Sequence, residues 1–339
     1  MVNLKRRTLL GVAGAAACVG LGATFLSRRE RHQDAPIVLR FSHVAAANTP
    51  KGRAAQYLSD EVARASRGEV RIDVFPNSTL YKDGEELEAL QLGTVDMIAP
   101  SLSKLASIGL NGFAAFDLPF LFSGYESLHE ITDGPIGRKM LDQFEHAGLA
   151  GKAFWDNGFK NMSATRPLIE VKDFSQLRMR IQPSKIIDLQ MRLLGASTED
   201  IALADLRDAL AKGLVQGCEN PPSNFLTQNL GAVQQYMTLS RHGYLGNLLL
   251  VNNEFWSQLP RYIRTLLDEC IDAATRYTNS IARTENDQAL AMIESTGTTR
   301  VLDLSARQRS DWQKTLEPVY QQITDSTSLA LVATARRRS

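Results

Sequence analysis

Cysteine is scarce in this chain, with three among 339 residues, and Cys18 falls in the N-terminal segment, leaving Cys218 and Cys270 for the remainder. That is too few for a disulfide framework, and spacing alone does not say whether the two pair. Histidine is scarce too. His32, His43, His129, His146 and His242 show no zinc-type spacing, and none pairs with a nearby cysteine. The sequence also lacks a G-x-S-x-G elbow, a P-loop and a G-x-G-x-x-G turn. With no nucleophile elbow, phosphate cradle or metal cluster, the chain reads as a binder rather than an enzyme, and no cofactor or metal is called for. An exported hydrolase with a dispersed active site is the enzymatic alternative.

A second long apolar run is missing as well. The first residues carry Lys5, Arg6 and Arg7 before an Ala-, Gly- and Leu-rich stretch from Thr8 to Leu26, which is the layout of an export signal. The paired arginines followed by Thr8, Leu9 and Leu10 resemble a twin-arginine signal, which places the protein in the periplasm. Residues 1–34 are assigned to this signal, or to an uncleaved anchor, since Arg28, Arg29 and Arg31 follow the apolar stretch. Beyond it no run of about 18 apolar residues recurs, so no other membrane span is expected. Removing residues 1–34 takes away six basic and two acidic groups, which changes 38 basic and 37 acidic residues into 32 and 35, a net charge near −3. Such a balance argues against a nucleic-acid partner.

What is present, at 44% hydrophobic and 22% charged residues, is a globular chain long enough for about two domains. Ile37 to Phe41 reads as a strand, Asn48-Thr49-Pro50 as a helix start, Arg53 to Arg64 as a helix, and Val70, Ile72 and Val74 as an alternating strand. A helix from Asp83 to Leu92 and a short strand from Val95 to Ala99 continue the rhythm. Short connections between alternating strands and helices predict a mainly parallel sheet flanked by helices. After the aromatic stretch Phe116 to Phe122, expected to be a buried connection, the pattern resumes. Ala153 to Trp155 and Met179 to Ile181 read as strands, and Ser184 to Leu194 and Ala204 to Lys212 as helices. Leu245 to Val251 is a mostly apolar strand. From Pro260 a helical pattern runs to about Ser295 without internal Gly or Pro, roughly 50 Å at 1.5 Å per residue, long enough to bridge two domains. The basic end, Arg336 to Arg338, reads as a solvated tail.

Two segments point to a ligand. In Leu177 to Ser184, period-two alternation puts Arg178, Arg180 and Gln182 on one face as a strand gives way to a helix, where open α/β sheets bind ligands. A guanidinium there can hold a carboxylate through two parallel hydrogen bonds, with Ser184 offering a donor near the helix start. In Gly217-Cys218-Glu219-Asn220-Pro221-Pro222, a polar turn stiffened by two prolines would hold Asn220 rigidly. On spacing alone, a basic surface loop and an ordinary turn stay open as alternatives.

At these residues the sequence resembles the solute-binding proteins of tripartite ATP-independent periplasmic (TRAP) transporters, most closely the C4-dicarboxylate receptors. The likeness runs from about Leu39 to Glu317 and includes Phe41-Ser42-His43-Val44, Thr49-Pro50-Lys51-Gly52, Leu80 to Gly93, Trp155-Asp156-Asn157-Gly158-Phe159-Lys160 and Glu219 to Asn224. It implies a two-lobed clamshell, each lobe a mainly parallel sheet flanked by helices, with the long helix shared. Residues 35–157 with 246–285 would form one lobe, 158–245 with 286–330 the other, and 331–339 a basic tail. The family's selectivity arginine would fall on Arg180, its carboxylate-binding asparagine on Asn220, and a second basic position on Lys160. Pocket positions of the first lobe would fall near Val44, Asp83, Ser101 and Ser103, with His43, Lys51 and Lys82 as candidates for a second carboxylate. One departure is Leu203-Ala204-Asp205-Leu206-Arg207, where relatives carry an aromatic-containing stretch; loss of that wall and gain of Arg207 would reshape the pocket.

The resemblance further implies capture of a small organic acid such as succinate, malate or fumarate, and delivery to membrane permease subunits. A uronate or hydroxy acid as ligand, and a sensor signalling to a membrane kinase, are the alternatives.

Overall fold

A computed structural model of the chain describes residues 35–337; the export signal assigned to residues 1–34 lies outside them. Strand β1 (Ile37–Ser42) leads to helix α1 (Pro50–Ala65). The Thr49 hydroxyl caps α1 by accepting from the Gly52 amide at 3.2 Å, and Pro50 occupies a first-turn position where no amide is needed. Then come β2 (Val70–Phe75), α2 (Glu86–Gln91), β3 (Met97–Ile98), α3 (Tyr125–Thr132) and α4 (Pro135–Leu141). A 16-residue strand, β4 (Leu149–Ala164), follows. The strand–helix rhythm returns in β5 (Arg178–Ile181), α5 (Lys185–Leu193), β6 (Ser197–Asp200), α6 (Leu203–Ala211), β7 (Gly217–Asn220) and α7 (Pro222–Thr227). The 17-residue β8 (Tyr236–Asn252) leads through α8 (Asn253–Gln258) into the 36-residue α9 (Arg261–Thr296). β9 (Arg300–Asp303), α10 (Ala306–Leu316) and α11 (Ser326–Arg336) complete the described chain.

The strands form one sheet in the order β2-β1-β3-β8-β4-β7-β5-β6, with β9 added on β8. Pairing is parallel towards both ends, β1 with β2 and β3, and β5 with β6 and β7. Through the middle it is antiparallel, β3 with β8, β8 with β4, and β4 with β7. Two parallel α/β units are thus joined by two long strands running in opposite directions. One apolar core packs α1 and α9 against the β1 end, with Phe41, Leu58, Trp155 and Ile271 buried in it. Another packs α6 and α7 around Leu206, Leu210, Phe225 and Leu230. The Phe116 to Phe122 connection is buried as expected, Phe116, Leu118 and Leu121 joining Phe113 and Phe154 in the third and largest core.

Three segments differ from the sequence reading. β4 and β8 are far longer than the short strands read at 153–155 and 245–251, because register breaks at Gly151/Ala153, Asp156/Gly158 and Lys160/Met162 interrupt the alternation that marks a strand. Gly217 to Asn220 is strand β7 rather than a turn; all four residues are buried between β4 and β5, so the usual polar-out signal is missing. The basic end is no loose tail up to Arg336. Leu331 and Ala335 of α11 are buried, and the Arg336 guanidinium donates to Glu317 at 3.0 Å and lies 4.0 Å over the Tyr320 ring.

Candidate ligand-binding site

The carboxyl ends of the parallel strands from both ends of the sheet converge on one small cavity of about 30 Å³. Val44 and Ala45 follow β1, Arg180 lies one residue before the end of β5 and Gln182 follows that strand, Asn220 ends β7, and Leu203 opens α6; all line the cavity. Of the residues picked from sequence, Arg180, Asn220, Gln182, Ser101, Asp83, Lys51 and Val44 therefore meet there.

Three cations line the cavity, and they differ in what balances them. Lys104 is ion-paired with both Asp83 and Glu86, the latter at 2.7 Å. Arg180 is 3% exposed; its Nε donates to the Ile201 carbonyl at 2.7 Å, and among the described residues no carboxylate pairs with it. Lys51 is 4% exposed, and its ammonium donates to the Ala99 carbonyl at 2.9 Å, again with no carboxylate partner among the described residues. Burial and the neighbouring Lys104 charge bring Lys51 down to about 8, against the opposing pull of Glu86. Asp83 and Glu86 act on Lys51, and Asp83 and Asp200 on Arg180, at longer range only; a buried cation without a direct ion pair is costly, so both offer places for the negative groups of a ligand. Asn220 has no stronger bond of its own than Nδ2 to Cys218 Sγ at 3.6 Å, which leaves its amide for a ligand.

Asp83 is the one carboxylate in the lining. Burial would raise its carboxyl, but Lys104 and the Leu203 amide, which donates to Oδ2 at 2.6 Å, outweigh burial and hold it at about 2. Gln182 is fixed by the Ser101 hydroxyl, which donates to its Oε1 at 2.5 Å.

The other picked residues lie elsewhere. Lys160 does not reach the lining: its ammonium is buried 2.5 Å from Glu219 and 3.8 Å from Asp117, so its charge is already spent. Burial would raise the Glu219 carboxyl, but Lys160 and the His242 imidazole at 2.8 Å hold it at about 2. Ser103 donates to Asp117 at 2.6 Å, and Ser184 caps α5 by accepting from the Ile187 amide at 3.3 Å. His43 is fully buried without a side-chain partner; burial, then the Lys51 charge, push its imidazole down to about 3, so it stays neutral. Lys82 is exposed and pairs with Asp205 at 3.1 Å. Arg178, on the same strand face as Arg180, is exposed and bonds the Leu214 carbonyl. Arg207 is exposed on α6 and does not line the cavity, whereas Leu203 does.

Sequence reasoning missed Lys104, Asn157, Asn224 and Asn247, all in the lining. Asn247 did carry a signal: it is the one polar side chain in the run from Leu245 to Val251.

Residues 41–327 match the profile of the bacterial extracellular solute-binding protein family 7. The chain belongs to this family. It is 43% identical over 333 residues, 98% of each chain, to the C4-dicarboxylate-binding periplasmic protein DctP of Rhodobacter capsulatus. Among solved structures it is similar to a TRAP periplasmic solute-binding protein of Pseudomonas aeruginosa with bound L-malate (35% identity, TM-score 0.83, covering 85% of this chain and 100% of that one). It is also similar to one of Sulfurospirillum deleyianum with bound succinate (33% identity, TM-score 0.86, covering 89% and 99%). The chain is thus a solute-binding receptor of the family, as the resemblance implied, with the two-lobed α/β fold of these structures and the long helix α9.

Proposed function

We propose that this receptor captures a C4-dicarboxylate in the periplasm and delivers it to the membrane subunits of a TRAP transporter. One observation carries the choice of a dianion: Arg180 and Lys51 line one buried cavity and neither has a carboxylate partner among the described residues. One carboxylate takes the Arg180 guanidinium and the Asn220 amide, and the other takes the Lys51 ammonium. Membership of the family and likeness to receptors solved with malate and succinate support the same class of ligand. Two lobes, 35–157 with 246–285 and 158–245 with 286–330, would close over it. Supporting their boundary, the β4–β8 register breaks between Asp156 and Gly158, opposite Gly246 and Leu245. Closure is stabilised only by as much as the ligand binds the closed form better than the open one.

The test is calorimetry with succinate. Arg180→Ala should weaken binding by about 3–5 kcal/mol, because a desolvated carboxylate loses its charged partner. Unchanged affinity in that variant would refute the assignment.

A further inference from the structure

The two cations and Asn220 account for the carboxylates, but not for two other polar atoms of the same cavity. Asn157 Oδ1 and Asn247 Nδ2 are buried and have no hydrogen-bond partner, on residues 1% and 2% exposed. Their neighbours hold both side chains in place. The Asn157 side-chain amide is oriented by its own Nδ2, which donates to Asn224 Oδ1 at 3.1 Å, and the Asn157 backbone carbonyl accepts from Asn286 Nδ2 at 2.6 Å. Asn247 sits on β8 opposite Trp155, two residues before Asn157 on β4, and its backbone bridges to Ser101. The side chains therefore come from adjacent strands, with Asn157 in the register break just beyond the Trp155–Asn247 pair, and both line the cavity.

One of these atoms is an unspent acceptor and the other an unspent donor, both lining the space where the ligand goes. Buried polar atoms are rarely left unpaired, and a group inside the cavity is what would pair them. A methylene satisfies neither. A carboxylate suits the donor but is repelled by the amide oxygen. A hydroxyl accepts from one and donates to the other.

We propose that Asn157 and Asn247 form a hydroxyl-binding station between the two carboxylate positions, so that this receptor selects a 2-hydroxy dicarboxylate over the unsubstituted acid. The inference rests on the dicarboxylate reading and deepens it. The station is fixed on one side of the cavity, so it reaches the hydroxyl of one enantiomer only. A water molecule can occupy it when an unsubstituted acid binds, which limits the discrimination.

The test is calorimetry on the full chain with succinate, L-malate and D-malate. The wild type should bind one malate about tenfold tighter than succinate, the cost of leaving such a pair unsatisfied or trapping water there. In Asn247→Leu, which keeps the size but removes the donor, the ratio of malate to succinate affinity should fall to about one, whatever the change in succinate affinity itself. Asn247→Ser serves as a second variant, and the wild-type ratio needs no variant at all. Equal affinity of the wild type for all three acids overturns this inference alone, as does a malate preference that survives in both variants. Binding of none of them overturns the dicarboxylate reading and the station with it.

Discussion

At the scale of single residues, Lys51 shows how a binding site trades stability for affinity. Its ammonium is buried with one carbonyl partner, and burial has already lowered its pKa to about 8 in the empty protein. A bound carboxylate favours the charged form and raises that value. Below about pH 8 the empty protein already carries the proton, so affinity for succinate should be flat with pH. Above it, binding must take a proton up, and affinity should fall by up to about tenfold per pH unit. Calorimetry at pH 9 in buffers of different ionisation enthalpy should register uptake of close to one proton; none would exclude Lys51 from the site. Lys51→Met should raise the melting temperature of the empty protein, because it removes a buried charge without a direct ion pair, and should weaken dicarboxylate binding at least about tenfold. The place of Arg180 and Asn220 in the cavity lining was legible in the sequence because each sits where a strand gives way to a helix, flanked by a recognisable block. That Lys160 lies outside the lining could not be read from the sequence, because charge says nothing of where a partner is; the Glu219 carboxylate it pairs with is 59 positions away. Asn247 was overlooked because a polar residue in an apolar strand gains meaning only once the strand's neighbours are known.

At the scale of elements, the strand–helix units and α9 could be read from periodicity, glycine stops and proline starts, whereas the long strands could not. β4 and β8 depart from alternation where they change register, and the departure coincides with the proposed hinge. Gly158 shows what the bend requires. Its φ of +150° is a conformation L side chains rarely adopt, and a Cβ there would stand 2.5 Å from Asn286 Nδ2 on α9. Asn286 in turn spans the joint: Nδ2 donates to the Asn157 carbonyl and Oδ1 accepts from the Ser223 amide at 3.0 Å. Gly158→Ala should therefore destabilise the fold by about 1–3 kcal/mol in denaturant unfolding, from backbone strain plus displacement of Asn286. A change under about 0.5 kcal/mol, the usual size for a neutral surface substitution, would mean that the strand tolerates a side chain at the bend.

At the scale of the whole molecule, two contacts tie the α2 side of the cavity to α6, and magnitudes separate them. Lys82 and Asp205 meet at 3.1 Å with both side chains about half exposed. Solvent and salt screen such a pair to roughly 0–1 kcal/mol. Asp83, one residue on, is mostly buried, is paired with Lys104 and accepts from the Leu203 amide at the start of α6, where the helix dipole favours a negative charge. Its loss would take a partner from both that amide and the Lys104 ammonium. In the proposed clamshell, Asp83→Ala should shift the protein towards the open form, with a larger radius of gyration in X-ray scattering, and Lys82→Ala should leave the scattering unchanged. Equal effects of the two would remove Asp83 from any role in closure. The pH dependence follows from the lowered carboxyl: the Asp83 contact is fully present above about pH 4, the ordinary carboxylate range, and is lost as pH falls through about 2. Closure through Asp83 should then hold between pH 5 and 8 in scattering, while affinity weakens only on the alkaline side, where Lys51 loses its proton.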